Sequence, residues 1–179
     1  MKRRMLIIGM ALFGLVGVGV VRAQSLTWSV VHRMVRSSFP EVKQISTDSL
    51  AERLSAPDLP PPLLLDVRAE AEFAVSRLRG AVRVDPEAPD LAFLDTLARD
   101  APIVAYCSVG YRSSRLARTL REKGFTNVSN LEGSIFRWAN EGRPVYRDGV
   151  VVRQVHPYDR VWGMLLQKEL RAYAPAPSN

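Results

Sequence analysis

The segment Cys107-Ser108-Val109-Gly110-Tyr111-Arg112-Ser113 holds the residue types most able to do chemistry. It lies between a short apolar run, Ile103 to Tyr106, and a stretch of helical spacing from Arg112 to Lys123 that stops at Gly124. A loop that leaves the carboxyl edge of a sheet and opens a helix can turn several backbone N–H groups inward. The helix adds its positive N-terminal dipole, so an anion at the loop centre is stabilised without a metal. A thiolate at Cys107 gains from the same field, and a thiol acidified in this way is a nucleophile near neutral pH. The competing reading is an inert, buried cysteine packed as a small hydrophobe, which the position at the end of a strand disfavours. Gly110 permits the backbone to wind. Arg112 points inward as a cation for a substrate anion, outward as an ion-pair partner, or braces the loop through backbone carbonyls.

The elements that must position this loop can be read around it. Leu63 to Val67, after the proline-rich stretch Pro57 to Pro62, is predicted as a neighbouring buried strand. Asp66 and Arg68 at its end border the pocket or form a hydrogen-bonded pair that fixes the next turn, and the second reading is the better one. Ala81 to Val84 and Asn127 to Ser129 are further strands. Helices are predicted from about Thr47 to Leu54, as a turn at Ala69 to Ala74, and over Leu91 to Ala98. Short apolar strands alternating with helices imply an α/β domain of three layers, with a central, mainly parallel sheet flanked by helices. Ile135, Phe136 and Trp138 have helical spacing onto that sheet and are read as core.

On the amino side, Leu26, Val30, Val31, Met34 and Val35 recur at helical spacing up to Ser38. An amphipathic helix there packs on the domain or lies on a membrane surface, and packing is the simpler expectation. On the carboxyl side, Asp148-Gly149 between Val145-Tyr146 and Val150 to Val152 predicts a hairpin. Val161 to Tyr173 predicts a closing helix, followed by a fraying tail from Ala174 to Asn179.

The 179 residues suit one domain with short extensions, and 47% hydrophobic with 24% charged residues is a globular balance. The net charge of +7 raises nucleic acid as a partner. However, Lys2, Arg3, Arg4 and Arg22 carry four of the seven charges, and the remaining arginines are interspersed with acids, so no nucleic-acid partner is expected. Met5 to Val21 is an uncharged apolar run behind this basic start. It reads as an export signal, cleaved after Ala23 or retained as an anchor through residues 5–21. Basic residues stay on the cytoplasmic side, so the domain is expected outside the cytoplasm, periplasmic, secreted or anchored to an inner membrane. The expected organisation is residues 1–23 as signal or anchor, 24–43 as amphipathic helix and linker, 44–145 as the domain, and 146–179 as a carboxyl extension. With one cysteine, no internal disulfide and no Cys/His zinc site can form, so no metal or other cofactor is expected. The domain is expected to act as a monomer.

Four segments in order carry a resemblance to the rhodanese family over roughly Gln44 to Val145. They are Leu64-Leu65-Asp66-Val67-Arg68 with Glu72-Phe73; Leu78-Arg79-Gly80-Ala81; Tyr106 to Ser113; and Leu131 to Trp138 with Gly142-Arg143-Pro144. The resemblance implies a rhodanese-like fold and a thiosulfate-type sulfurtransferase. In such an enzyme Cys107 takes a sulfane sulfur from a small donor, becomes a persulfide, and passes the sulfur to cyanide or a thiol acceptor. Ser108, Val109, Gly110, Tyr111, Arg112 and Ser113 are then its substrate-binding cradle. Cysteine phosphatases similar to this fold use a loop one residue longer, because phosphate needs a wider ring of donors. The other alternative is a non-turnover binding or sulfur-carrier module for a partner protein. Two positions depart from the family pattern, Arg77 where relatives carry histidine and Ser134 where they carry a second glycine.

Overall fold

A computed structural model of the protein describes residues 28–175. Five short strands form the central sheet: β1 (Lys43–Ile45), β2 (Leu63–Asp66), β3 (Val82–Arg83), β4 (Ile103–Tyr106) and β5 (Val128–Leu131). Their order is β1-β5-β4-β2-β3, and every pairing is parallel. A parallel sheet needs cover on both faces, which is why β2, β4 and β5 consist almost wholly of buried residues. Helices α2 (Thr47–Ser55), α3 (Glu70–Val75), α4 (Tyr111–Glu122) and α5 (Ser134–Asn140) provide it. With the right-handed crossovers that parallel strands adopt, this order puts α2 and α3 on one face and α4 on the other. The α/β class and the flanked parallel sheet agree with the reading of the sequence.

Register decides where the site lies. Asp66 is level with Tyr106, and Ala105 with Asn130, so the carboxyl ends of β2, β4 and β5 finish together. Cys107 leaves β4 at that edge. Residues 28–38 form the amphipathic helix, α1, and it packs on the domain: Val31, Val35 and the following Phe39 join the core, while Val30 faces solvent. Leu26 lies outside the described residues, as do the signal or anchor segment and the last residues of the tail. Among the described residues no helix is long and apolar enough to cross a membrane.

The hairpin is present, β6 (Val145–Arg147) pairing antiparallel with β7 (Val150–Val152). Asp148 and Gly149 both take positive φ, 51° and 81°, which is what a two-residue turn of the type I′ kind requires. Arg77 secures it to the domain, exchanging backbone hydrogen bonds of 2.8 and 2.7 Å with Tyr146 and pairing its guanidinium with Asp148.

Two predicted helices are corrected. Over Leu91 to Ala98 only a 3-10 turn forms, Ala92–Leu94. Leu91, Leu94 and Leu97 recur every three residues, the 3-10 period, and N–H groups bond three residues back at Leu94, Asp95 and Leu97. Val161 to Tyr173 also gives two 3-10 turns, Trp162–Leu165 and Lys168–Leu170, with extended backbone at Leu166 between them. The backbone groups that a continuous helix would pair internally are taken by side chains. Asn140 donates to the Leu165 carbonyl at 2.7 Å and accepts from the Gln167 N–H at 2.9 Å, and Arg171 donates to the Leu166 carbonyl. Leu165, Leu166 and Leu170 reach the core, so this segment is a strap laid across the domain. Strand β1 escaped prediction because an edge strand of Lys43-Gln44-Ile45 has no continuous apolar run.

Candidate active site

Buried β4 delivers Cys107, which is 1% exposed, and α4 starts four residues later. The backbone of the cysteine is clamped. Its N–H donates to Ser134 Oγ at 3.1 Å, that hydroxyl donates to the Leu131 carbonyl at 3.1 Å, and the Cys107 and Ser108 carbonyls accept from Ile135 and Phe136. Ser134 supplies this clamp from positive φ, 51°, a conformation that costs a serine about 1 kcal/mol. The turn that the missing second glycine would have eased is therefore held by a hydroxyl.

Gly110 has φ of 113°, and its N–H donates to Cys107 Sγ at 3.2 Å. A Cβ added there would come within 3.1 Å of Asn130 Nδ2, so both conformation and space call for glycine. Ser113 offers the sulfur a backbone N–H and a hydroxyl, the latter shared with Asn130 Oδ1 at 2.6 Å. One hydroxyl proton cannot serve both acceptors, so the backbone N–H groups of Gly110 and Ser113 are the steady donors. Burial pushes the Cys107 thiol up. The Arg112 charge, Ser113 and the Gly110 N–H outweigh it, and the thiol is held below its ordinary value. This arrangement is that of a nucleophilic cysteine.

Arg112 forms the ion pair and does not brace backbone carbonyls, and its charge also reaches Cys107. Its Nη1 and Nη2 donate to Glu72 Oε2 and Oε1, both at 2.8 Å, and Nη2 donates to Ser108 Oγ at 3.0 Å. Ser108 Oγ in turn donates to Glu72 Oε1 at 2.7 Å, and Glu72 Oε2 accepts the Ala69 N–H. Burial raises the Glu72 pKa, but the bonds from Arg112 and Ser108 lower it by more. The face of Arg112 is covered by the Tyr158 ring, 4.8 Å away.

Above the sulfur a cavity of about 390 Å³ opens, and Ser108, Val109, Tyr111 and Arg112 line it with Cys107. Its other walls are Met34 and Ser38 of α1 and Tyr158 and Trp162 of the strap. Asp66 and Arg68 do not border it. Both are fully buried, paired through bonds of 2.8 and 2.6 Å, and Arg68 also donates to the Ser76 carbonyl, which fixes the chain after β2. Arg115 and Arg118 lie farther along α4, the first donating to the Pro86 carbonyl and the second stacked on Phe39. Among the described residues no group of three or more His, Cys, Asp or Glu is placed to hold a metal ion.

A family model described as Rhodanese-like domain matches residues 46–141, just over half of the chain and all of the cradle. The chain belongs to the rhodanese-like family. A sulfurtransferase of Allochromatium vinosum is 32% identical over 104 residues, which are 58% of this chain and 94% of that protein. The thiosulfate sulfurtransferase GlpE of Actinobacillus succinogenes is 34% identical over 83 residues, 46% of this chain and 74% of that protein. The crystal structure of the Alr3790 protein from Anabaena sp. superposes with a TM-score of 0.52 at 27% identity, covering 59% of this chain and 94% of that one.

Within this rhodanese-like domain, sequence reasoning missed the residues that act on the loop from a distance. In the sequence Glu72 stands out only as part of a motif, and nothing local to it points to Arg112, 40 positions away. Ser134 stands out only as a departure from glycine. A polar residue in a position that asks for glycine was the available signal that its hydroxyl has a partner.

Proposed function

We propose that the protein is a rhodanese-type sulfurtransferase that carries sulfur as a persulfide on Cys107. The observation that carries this reading is the thiol itself, buried, acidified, and faced by the Gly110 and Ser113 N–H groups at the floor of an open cavity. The Cys107 thiolate attacks the terminal sulfur of thiosulfate. A sulfur–sulfur bond forms to Cys107, the bond to the sulfonate sulfur breaks, and its electron pair leaves with sulfite. Three negative charges stand on each side of the step. The persulfide anion then occupies the ring of donors that held the thiolate. Cyanide or a thiolate acceptor attacks its outer sulfur, leaving as thiocyanate or a new persulfide and restoring the thiolate. Neither half-reaction needs a general base once the thiolate is formed. Relatives named as sulfurtransferases, one of them for thiosulfate, support this donor.

The test is incubation of the protein with thiosulfate, followed by intact mass and by thiocyanate release on adding cyanide. The mass rises by one sulfur atom in the wild type, and Cys107→Ser abolishes both the adduct and turnover. A wild type that takes no sulfur from thiosulfate or any other sulfane donor refutes the reading. The basic start and apolar run of residues 1–23 further support action outside the cytoplasm. Fractionation of cells expressing the full chain tests this, and recovery in the cytoplasmic fraction would overturn it.

A further inference from the structure

The match to the family begins at Ser46 and ends at Glu141, yet the cavity above Cys107 takes walls from both sides of that span. Met34 comes from α1, and Tyr158 and Trp162 come from the strap. These walls are built into the structure. Asp159 Oδ1 accepts the Val161 and Trp162 N–H groups at 2.8 Å each, which fixes the turn that aims Trp162. Tyr158 sits at positive φ, 65°, and its N–H donates to His156 Nδ1 at 3.0 Å. A Cβ on Gly163 would meet Pro157 at 2.9 Å, so the strap is folded tightly back on itself there. Non-glycine residues held in the left-handed region concentrate at functional sites.

Apart from the Ser38 hydroxyl, the walls from α1 and the strap are apolar and aromatic. Arg112, the cation lining the cavity, has its charge matched by Glu72 and its face covered by Tyr158. Among the residues that line this space, a dianion meets no cation other than Arg112, which is already paired with Glu72. A flat apolar group meets the side chains of Tyr158 and Trp162 and the flexible thioether of Met34. We propose that Met34, Tyr158 and Trp162 form a subsite that selects a sulfane sulfur borne on a ring-sized apolar organic group with a single negative charge. This rests on the sulfurtransferase reading above and narrows its substrate class. With an organic thiosulfonate as donor, the Cys107 thiolate bonds to the terminal sulfur and the bond from that sulfur to the sulfonyl group breaks. The electron pair leaves with the sulfinate, and two negative charges stand on each side.

The probes are benzenethiosulfonate and methanethiosulfonate, compared by kcat/KM with cyanide as acceptor. Burying a ring on the subsite gives a preference for the benzene compound of about tenfold or more in the wild type. Trp162→Ala and Met34→Ala, on separate elements, each lower that ratio, Trp162→Ala by about threefold or more relative to the wild type, whereas Trp162→Phe keeps most of it. The leaving-group difference between the probes is common to all variants, so it cancels in the comparison of ratios. A wild-type ratio near one, or a ratio unchanged in both alanine variants, overturns the subsite. Should the wild type take sulfur from thiosulfate and from both probes without preference, only the subsite fails. Should it take sulfur from none of them, the sulfurtransferase reading fails with it.

Discussion

Replacing Glu72 with glutamine tests how the cradle is held and charged. The carboxylate is buried, with Oε1 accepting from Arg112 Nη2 and Ser108 Oγ and Oε2 from Arg112 Nη1 and the Ala69 N–H. Glutamine keeps the shape but offers one acceptor oxygen. The cheaper orientation puts its amide nitrogen toward Ser108, whose hydroxyl can turn to accept, and leaves Arg112 Nη2 facing a donor. Charge-assisted hydrogen bonds are worth about 1.5–3 kcal/mol, and breaking a buried ion pair costs about 3–5 kcal/mol. The Arg112 side chain keeps 19% exposure, so water partly relieves its loss and the lower end applies, about 3 kcal/mol. For a chain of this size that lowers Tm by about 6–12 °C. The wild-type Glu72 pKa is depressed, so its contribution is present above the unfolded carboxyl value and is lost as pH falls through the folded one. The deficit of Glu72→Gln therefore shrinks on acidification. At the same time a negative charge has left the neighbourhood of Cys107, and the thiol titrates at a lower pH than in the wild type. Urea unfolding at several pH values gives the first quantity, and thiolate absorbance against pH gives the second. A stability loss below about 1 kcal/mol at neutral pH, the level of an exposed ion pair, or a thiol that titrates higher, would refute this account of the cradle.

Two further outcomes follow from the same geometry. Ser134→Ala leaves positive φ in place and removes both the acceptor of the Cys107 N–H and the donor to the Leu131 carbonyl. It should cost about 1–3 kcal/mol in urea unfolding and slow persulfide formation, and equal stability would show that the clamp carries nothing. The rate of Cys107 alkylation rises with pH through a midpoint below the ordinary thiol value, because the folded pKa is depressed. In Arg112→Gln that midpoint moves up, since the guanidinium is the largest influence opposing burial, and an unmoved midpoint would count against it.

The cradle was legible because it is local. Cysteine, glycine and helix start fall within one short segment, and the strand-to-helix junction that makes them a donor ring shows in the apolar pattern on either side. Its supports were not legible. Glu72 sits on α3, Ser134 opens α5, and Asn130 ends β5, so each reaches the loop only once the sheet has brought the carboxyl ends of β2, β4 and β5 level. Strands β2 and β4 announced themselves by continuous apolar runs, whereas β1, Lys43-Gln44-Ile45, has none. Both misread helices had apolar spacing that two kinds of helix share over short lengths. At Leu91 to Leu97 the three-residue repeat tipped the balance, and in the strap it was the side chains of Asn140 and Arg171, which no local pattern reveals.

Met34 and Trp162 come from near the two ends of the described chain, and the cavity over Cys107 has its full set of walls only when both are in place. Closing a ring across an entire domain is a late event in folding, since the contacts that reward it are the most distant in sequence. A chain made from its amino end presents the cysteine loop before the strap that roofs it exists. During that interval the thiol stands open to oxidants, and sulfinic or sulfonic products cannot be undone by thiols. For this protein the hazard of irreversible oxidation thus begins during its making, before the walls that narrow access to Cys107 are in place.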